Sequence, residues 1–368
     1  MRPKGRACSR GSRFFSVRWR LIGSSPDARP QSRPEGLPRI GAAPKHQPMR
    51  GHSMKSLVYS AAAAALLIGS SAQAADITIG VPSWPSAKAG AAVLKNLAER
   101  EFGANVTLTP GTNPVIFAAM ASGKGDMDVH PEVWLPNIQG IVDEYKDNVV
   151  LGDTMFEGEQ GDCVTKATAE KLGLSSITDL ADPEIAKQFD SNGDGKGEFW
   201  VGATGWASAN TEKVKMRGYG LADLYEPETI DEALAYARIG EKDKKGEPYV
   251  FYCYTPHHIF AQYDLVMLDE PAHDDAKWNM IQPDEDPQWY EKSSVSTAWK
   301  PAEIHLAYSK SLEERAPELI TLFENYKPTS DMVADWTYQI AVKGRDEDEL
   351  AQEWIADHPD VVDKWLGL

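Results

Sequence analysis

From Ala75 onward the sequence alternates short apolar runs with stretches of helical periodicity, and this alternation restricts the possible folds more than any other feature. The run "DITIGV" at 76–81 has the length and residue types of a strand, and residues 86–101 follow with Ala91, Leu94, Leu97 and Ala98 on one helical face. "NVTLTP" gives a second strand, 113–121 a short helix, "MDVHPEVW" a third strand and 136–145 a further helix. The order β-α-β-α-β-α predicts a mostly parallel sheet covered by helices. The pattern restarts after Gly161: "DCVTKATAEKLGL" reads as strand and helix, "EFWVGATGW" as a strand, 211–216 as the start of a helix, 230–239 as another, and "PYVFYCYTP" as a strongly apolar strand. An acidic stretch at 269–286 with two prolines, and a third directly after it, reads as a surface connection, after which "AEIHLAYSK" supplies one more strand and two or three helices close the chain. Two α/β lobes are expected, 75–160 and 161–296, with the chain returning to the first lobe over 297–368 through a hinge near 156–161 and 294–299.

The segments before Ala75 belong to other compositional classes. Residues 1–53 carry twelve Lys or Arg against two acids, broken by Pro, Gly and Ser without hydrophobic periodicity, and read as an upstream extension that cannot build a core. Residues 54–74, "MKSLVYSAAAAALLIGSSAQA", have a lone Lys55, an apolar run and Ala72-Gln73-Ala74, which is the layout of a secretory signal cleaved near Ala74. Export to the periplasm is therefore expected. The remaining chain holds 25 basic and 53 acidic residues, a net charge of about −28 that repels nucleic acid and anionic lipid and suits a highly soluble monomer. Two cysteines stay after processing, Cys163 and Cys253; an even pair in an exported chain suits a disulfide, and two buried free thiols would look the same.

Large aromatic residues fall where the expected strands end. Trp84 follows the strand 76–81, Trp134 closes 127–134, Trp206 follows 198–203 and Tyr254 ends 248–254. Open α/β sheets bind ligands in the crevice at the carboxyl ends of their strands, so these four rings, two from each lobe, are expected to converge on one inter-lobe cleft. Trp299, just before the strand at 302–309, is a fifth candidate, whereas Trp200, Trp336, Trp354 and Trp365 read as core. A box of aromatic faces suits a quaternary or methylated ammonium group, with each contact worth roughly 0.5–2 kcal/mol. Glu132 lies two positions before Trp134 and so shares its strand face. Facing the box, its charge favours a cation such as choline, or trimethylamine N-oxide if its oxygen shares a proton with the glutamate, over a free carboxylate such as that of glycine betaine; the alternative is a solvated strand-end residue or a partner of a lysine.

The segments "HPEVWLPN", "FDSNGDGKGEFWVGATGW", "FYCYTPHH" and "SSVSTAW" together resemble the substrate-binding proteins of glycine betaine, choline and trimethylamine N-oxide ABC importers, over nearly all of 75–368. The resemblance implies a type II periplasmic-binding-protein fold that closes on a small methylated amine and delivers it to a membrane permease. It carries the family's cage positions onto Trp134, Trp206 and Tyr254. Many betaine-type members have Trp at the position of Tyr254; Trp84 in "VPSWPS" and the pairing of Glu132 with Trp134 resemble the trimethylamine N-oxide branch more.

"DSNGDGKGE" at 190–198 places oxygen donors at Asp190, Asn192, Asp194 and Glu198, with Gly195 at the turn and the Lys196 carbonyl in reach. These are the first nine positions of an EF-hand-like loop, so a structural Ca2+ is expected, although position twelve is Val201 and a plain Asn-Gly/Asp-Gly turn reads the same way. Similar loops occur in the resembling family. His257-His258 lacks a carboxylate at supporting spacing for zinc, and no nucleophile elbow, zincin, Walker or dinucleotide motif is present. A binding protein rather than an enzyme is the expectation. A secreted calcium-dependent enzyme using Glu132 as base and an acidic scaffold are the competing classes.

Overall fold

A computed structural model describes residues 74–368; the basic extension and almost all of the expected signal segment lie outside the described residues. Two five-stranded sheets organise the chain. The first uses β1 (Asp76–Val81), β2 (Asn105–Pro110), β3 (Val129–Leu135) and β4 (Val149–Gly158), and the second uses β5 (Gln160–Thr165), β6 (Gly197–Trp200), β7 (Tyr225–Glu228), β8 (Val250–Tyr254) and β9 (Leu265–Met267). A two-residue hairpin, β10 (Trp278–Asn279) with β11 (Ser294–Val295), interrupts the acidic connection, and β12 (Ala302–Ser309) then inserts into the first sheet between β3 and β4.

The sheets share one plan. Strand order is β2-β1-β3-β12-β4 in the first and β7-β6-β8-β5-β9 in the second. In each, the first three strands are parallel and the last two pair antiparallel to their neighbours. The expectation of mostly parallel sheets is thus corrected to mixed ones. The reason is where the chain crosses: β5 and β12 enter their sheets from the cleft side, at the edge where the parallel strands finish, so they must run the opposite way. Gln160, the first residue of β5, accordingly faces Tyr254, the last of β8.

Helices cover the sheets. In the first lobe, α1 (Pro85–Phe102) starts at a proline in its first turn and ends at Gly103 in the left-handed conformation; α2 (Asn113–Ser122) and α3 (Gln139–Tyr145) follow. The second lobe carries α4 (Lys166–Leu172), α5 (Pro183–Ala186), α6 (Ala207–Gly218) and α7 (Glu232–Lys245). The C-terminal helices pack back on the first lobe, where Trp354 stacks on Trp365 at 5.5 Å and meets Trp336 edge-on at 5.1 Å, as the core reading of these indoles expects. Trp200 is fully buried in the second lobe.

The first crossing is tight. A Cβ on Gly158 would stand 2.3 Å from the Thr255 carbonyl oxygen, so only glycine lets the two backbones approach there. Beyond it, Glu159 and Thr255 exchange backbone and hydroxyl hydrogen bonds of 2.9 and 3.0 Å.

Cys163 and Cys253 form a disulfide across β5 and β8, with a Cα–Cα separation of 5.8 Å, which decides between the two readings of the pair. The bridge closes a loop spanning 90 positions. Replacing both cysteines by serine is expected to lower unfolding stability by about 2–4 kcal/mol in denaturant titration; an unchanged midpoint would show that the bridge contributes nothing.

Candidate functional site

Each lobe builds its side of the cleft by the same two steps. The chain leaves β1 and enters α1 through Trp84, which holds the extended N-cap conformation ahead of Pro85. It leaves β6 and enters α6 through Trp206, again the extended N-cap residue. Neither side chain caps its helix, so both indoles are free to turn toward the cleft. The central parallel strand of each sheet supplies the second ring: Trp134 near the end of β3 and Tyr254 at the end of β8.

The four rings meet. Trp84 and Trp206 are 6.0 Å apart between centroids, Trp134 and Tyr254 5.3 Å, and Trp206 and Tyr254 6.0 Å, all close to edge-to-face. With Tyr252, Asn113, Asn137, Ala207 and Ser208 they line a cavity of about 40 Å³ between the lobes. Across the cleft, Trp206 Nε1 donates to Ser83 Oγ at 2.9 Å.

Glu132 stands behind the first lobe's pair of rings. Its Oε1 accepts from Trp84 Nε1 at 3.0 Å, from Trp134 Nε1 at 2.7 Å and from Ser86 Oγ at 2.7 Å. Both indoles are thereby fixed in rotation by one buried oxygen. Burial pushes the Glu132 carboxyl up to about 7, against the pull of these three donors. Among the described residues no side chain or amide donates to Oε2. In its charged form the carboxylate also draws positive charge toward the two N–H edges and leaves the ring faces richer in electron density, which is the polarity a cation prefers.

The polar groups around the box are set in a second layer. His130, buried and held neutral by burial, which lowers it to about 3, accepts from the Glu132 amide at Nδ1 and therefore donates from Nε2 to Asn113 Oδ1 at 2.9 Å. That fixes the Asn113 amide and leaves its NH2 as a donor at the cavity. In the second lobe Tyr254 OH, whose ionisation burial opposes, donates to Glu232 Oε1 at 2.7 Å. Asn137 and Gln160 pair their amides reciprocally at 2.7 and 3.1 Å, and Tyr252 OH adds a bond to Gln160 Oε1 at 2.7 Å.

Trp84, Trp134, Trp206 and Tyr254 thus come together as expected from the strand ends. Trp299 does not join them. It precedes β12 on the return crossing, where its Nε1 donates to Glu212 Oε1 at 2.6 Å and its ring meets Trp278 at 4.9 Å, on a separate cavity. Tyr252 was missed, although its position two residues before Tyr254 puts it on the same strand face; Asn113, Asn137 and Ser208 carry no signal of their own.

In the 190–198 loop the carboxylates turn to the loop's own amides. Asp190 accepts from the Gly193 and Gly195 N–H groups, Asp194 from that of Lys196, and Glu198 from those of Ser191 and Asn192. Among the described residues no three His, Cys, Asp or Glu side chains surround a common metal position. The oxygen donors fit a hard cation in kind, and in the loop as folded they are engaged by its own amides.

Two lobes that together wall an aromatic cavity define a two-lobed protein with a small-ligand cleft. Residues 75–357 match the substrate-binding domain of ABC-type glycine betaine transport systems, and the chain belongs to that family. It is 24% identical over 215 residues to the glycine betaine/proline betaine-binding periplasmic protein of Escherichia coli, covering 56% of this chain and 63% of that protein, and 31% identical over 100 residues to the glycine betaine-binding periplasmic protein OusX of Dickeya dadantii, covering 27% and 30%. The match therefore spans less than two thirds of these curated relatives. Among solved structures, lactococcal OpuAC in its closed form with glycine betaine superposes with a TM-score of 0.62 at 21% identity over 79% of this chain and 99% of that one. A choline-binding ABC-transporter protein with choline bound does so with 0.62 at 18% identity, over 79% and 91%. These likenesses establish the two-lobed periplasmic-binding-protein fold.

Because two indole N–H groups end on Glu132, tryptophan emission of the ligand-free protein is expected to titrate with a midpoint at about 7, and to be flat over that range in Glu132→Gln. A wild-type profile without a step would remove the carboxyl from this role.

Proposed function

We propose that the protein is the substrate-binding component of an ABC importer, capturing a small methylated ammonium compound in the inter-lobe box and handing it unchanged to a membrane permease. The observation that carries this reading is the convergence of Trp84, Trp134, Trp206 and Tyr254 on one cavity, with Glu132 fixing two of the rings from behind. Trimethylammonium groups are bulky, positive and weakly hydrated, so ring faces hold them better than an ion pair does. Family membership supports the class of ligand.

Within that class the favoured ligand is trimethylamine N-oxide. Among the described residues no group donates to Glu132 Oε2, and the carboxyl standing behind Trp84 and Trp134 favours a methylated amine without a carboxylate of its own. Choline, which also lacks a carboxylate, is favoured in the same way. Glycine betaine is the second reading, favoured by the free NH2 of Asn113, which suits a carboxylate, and by the ligands that the relatives' names record. A structural Ca2+ in the 190–198 loop belongs to the same proposal: binding would require Asp190, Asp194 and Glu198 to turn from their amides to the cation, with Asn192 and the Lys196 carbonyl completing the oxygen set.

Calorimetric titration with trimethylamine N-oxide, glycine betaine and choline in parallel tests the reading. One-to-one binding with a change in tryptophan emission is expected, and no response from any of the three overturns it. Trp134→Ala or Trp206→Ala is expected to weaken binding at least about tenfold. Glu132→Gln should cost trimethylamine N-oxide and choline more than glycine betaine; equal losses would sink the assigned role of the carboxyl. Adding Ca2+ to chelator-treated protein should raise Tm, and an unchanged Tm would discard the metal.

A further inference from the structure

Behind the second lobe's wall of the box lies a buried ionic cluster that the ligand reading does not use. Lys215 of α6 is 1% exposed, and three carboxylates surround its Nζ: Glu212 at 3.0 Å, Glu270 at 3.0 Å and Asp162 at 3.6 Å. All three are as deeply buried as the lysine or nearly so. The neighbouring groups that face them are donors. Trp299 Nε1 serves Glu212 Oε1 at 2.6 Å, and Tyr219 OH serves Glu270 Oε2 at 2.6 Å. Tyr252 of β8 lies against the same charges while its hydroxyl bonds Gln160. Tyr219 and Tyr252 are kept protonated by burial, and Lys215 is held charged by Glu212, Asp162 and Glu270 against the cost of its burial.

The count does not balance. After every donor has been assigned, Asp162 Oδ1 and Glu212 Oε2 are left buried without a partner, and both carboxyls face the same Lys215 ammonium, at 3.6 and 3.0 Å. Two ionised carboxylates in that position would repel, desolvated, with a single lysine between three acids. One proton removes both defects: it cancels one charge and supplies the missing hydrogen bond.

The cluster also occupies a particular place in the chain. Asp162 lies two residues into β5, directly after the first crossing, and Trp299 lies three residues before β12, on the second crossing. Both crossings therefore end on the same buried group of α6, the helix whose N-cap is Trp206 and whose Ser208 lines the cavity.

We propose that Asp162 Oδ1 and Glu212 Oε2 share one proton, taken from solvent, and that this proton fastens both chain crossings to the second lobe, so that the anchorage of the hinge loosens as the proton is lost. In the unfolded chain both carboxyls ionise in the ordinary range near 4. The folded state thus holds more protons above that range, and the stabilisation falls as pH rises toward the raised folded value.

Thermal melts of the ligand-free protein across pH 6 to 9 test this without reference to any ligand. Asp162→Asn places an amide donor where the proton sits and removes the surplus charge. Its Tm relative to wild type is expected to climb with pH, the difference widening by roughly 2 °C or more. Glu212→Gln puts the donor at the other end and should behave alike. In a Glu132→Gln background, which removes the other raised carboxyl, an infrared band of a protonated carboxyl should persist at neutral pH and reads the proton directly even if neither cluster variant folds. Wild-type and variant melting curves that run parallel, or a background without that band, overturn the proposal.

Discussion

One buried oxygen organises the candidate site. Glu132 Oε1 receives two indole N–H groups and a serine hydroxyl, and an indole whose nitrogen is tied at one edge has lost its freedom to rotate about the ring axis. Trp84 and Trp134 are consequently presented as fixed walls, and the reorganisation that a flexible box would require on binding is already complete. The opposite lobe ties its two rings separately, Trp206 to Ser83 across the cleft and Tyr254 to Glu232. The Trp206–Ser83 bond ties the second lobe's indole directly to the first lobe.

The two lobes repeat a single construction. A parallel strand, an N-cap tryptophan and a long helix are followed by a central strand that ends in an aromatic ring, and the antiparallel entry strand then seals the sheet. Because entry strands start at the cleft, the crossings, the rings and the buried Lys215 cluster are forced into one neighbourhood. Gly158 against Thr255 O and Trp299 against Glu212 mark the two crossings, and neither tolerates much displacement of its partner.

How far the sequence could be read depended on where each element sits. Central strands, buried on both faces, show as apolar runs: 76–81, the end of 129–135, 250–254 and 302–309 were all legible. The strands without a signal, β4, β7 and β9, are edge strands. An edge has one unpaired side and a relaxed pattern, and β7 even carries Pro227. In the site, aromatic residues at strand ends were visible because they combine two readable facts, residue type and position. Asn113 was invisible because its importance comes from His130 fixing its amide, a contact between residues 17 apart that no periodicity encodes.

By itself the sequence determined the α/β class, the two-lobe division and the four rings of the cleft, since each follows from local periodicity and from the rule that open sheets bind at their carboxyl edges. Tertiary structure decided what the same residues do to one another. It turned Glu132 from a wall of the box into the hub behind two of its walls, moved Trp299 from the box to the hinge, joined Cys163 to Cys253, and set three carboxylates around one lysine. Those outcomes depend on distances of about 3 Å between segments far apart in the chain, and such distances exist only once the sheets have closed.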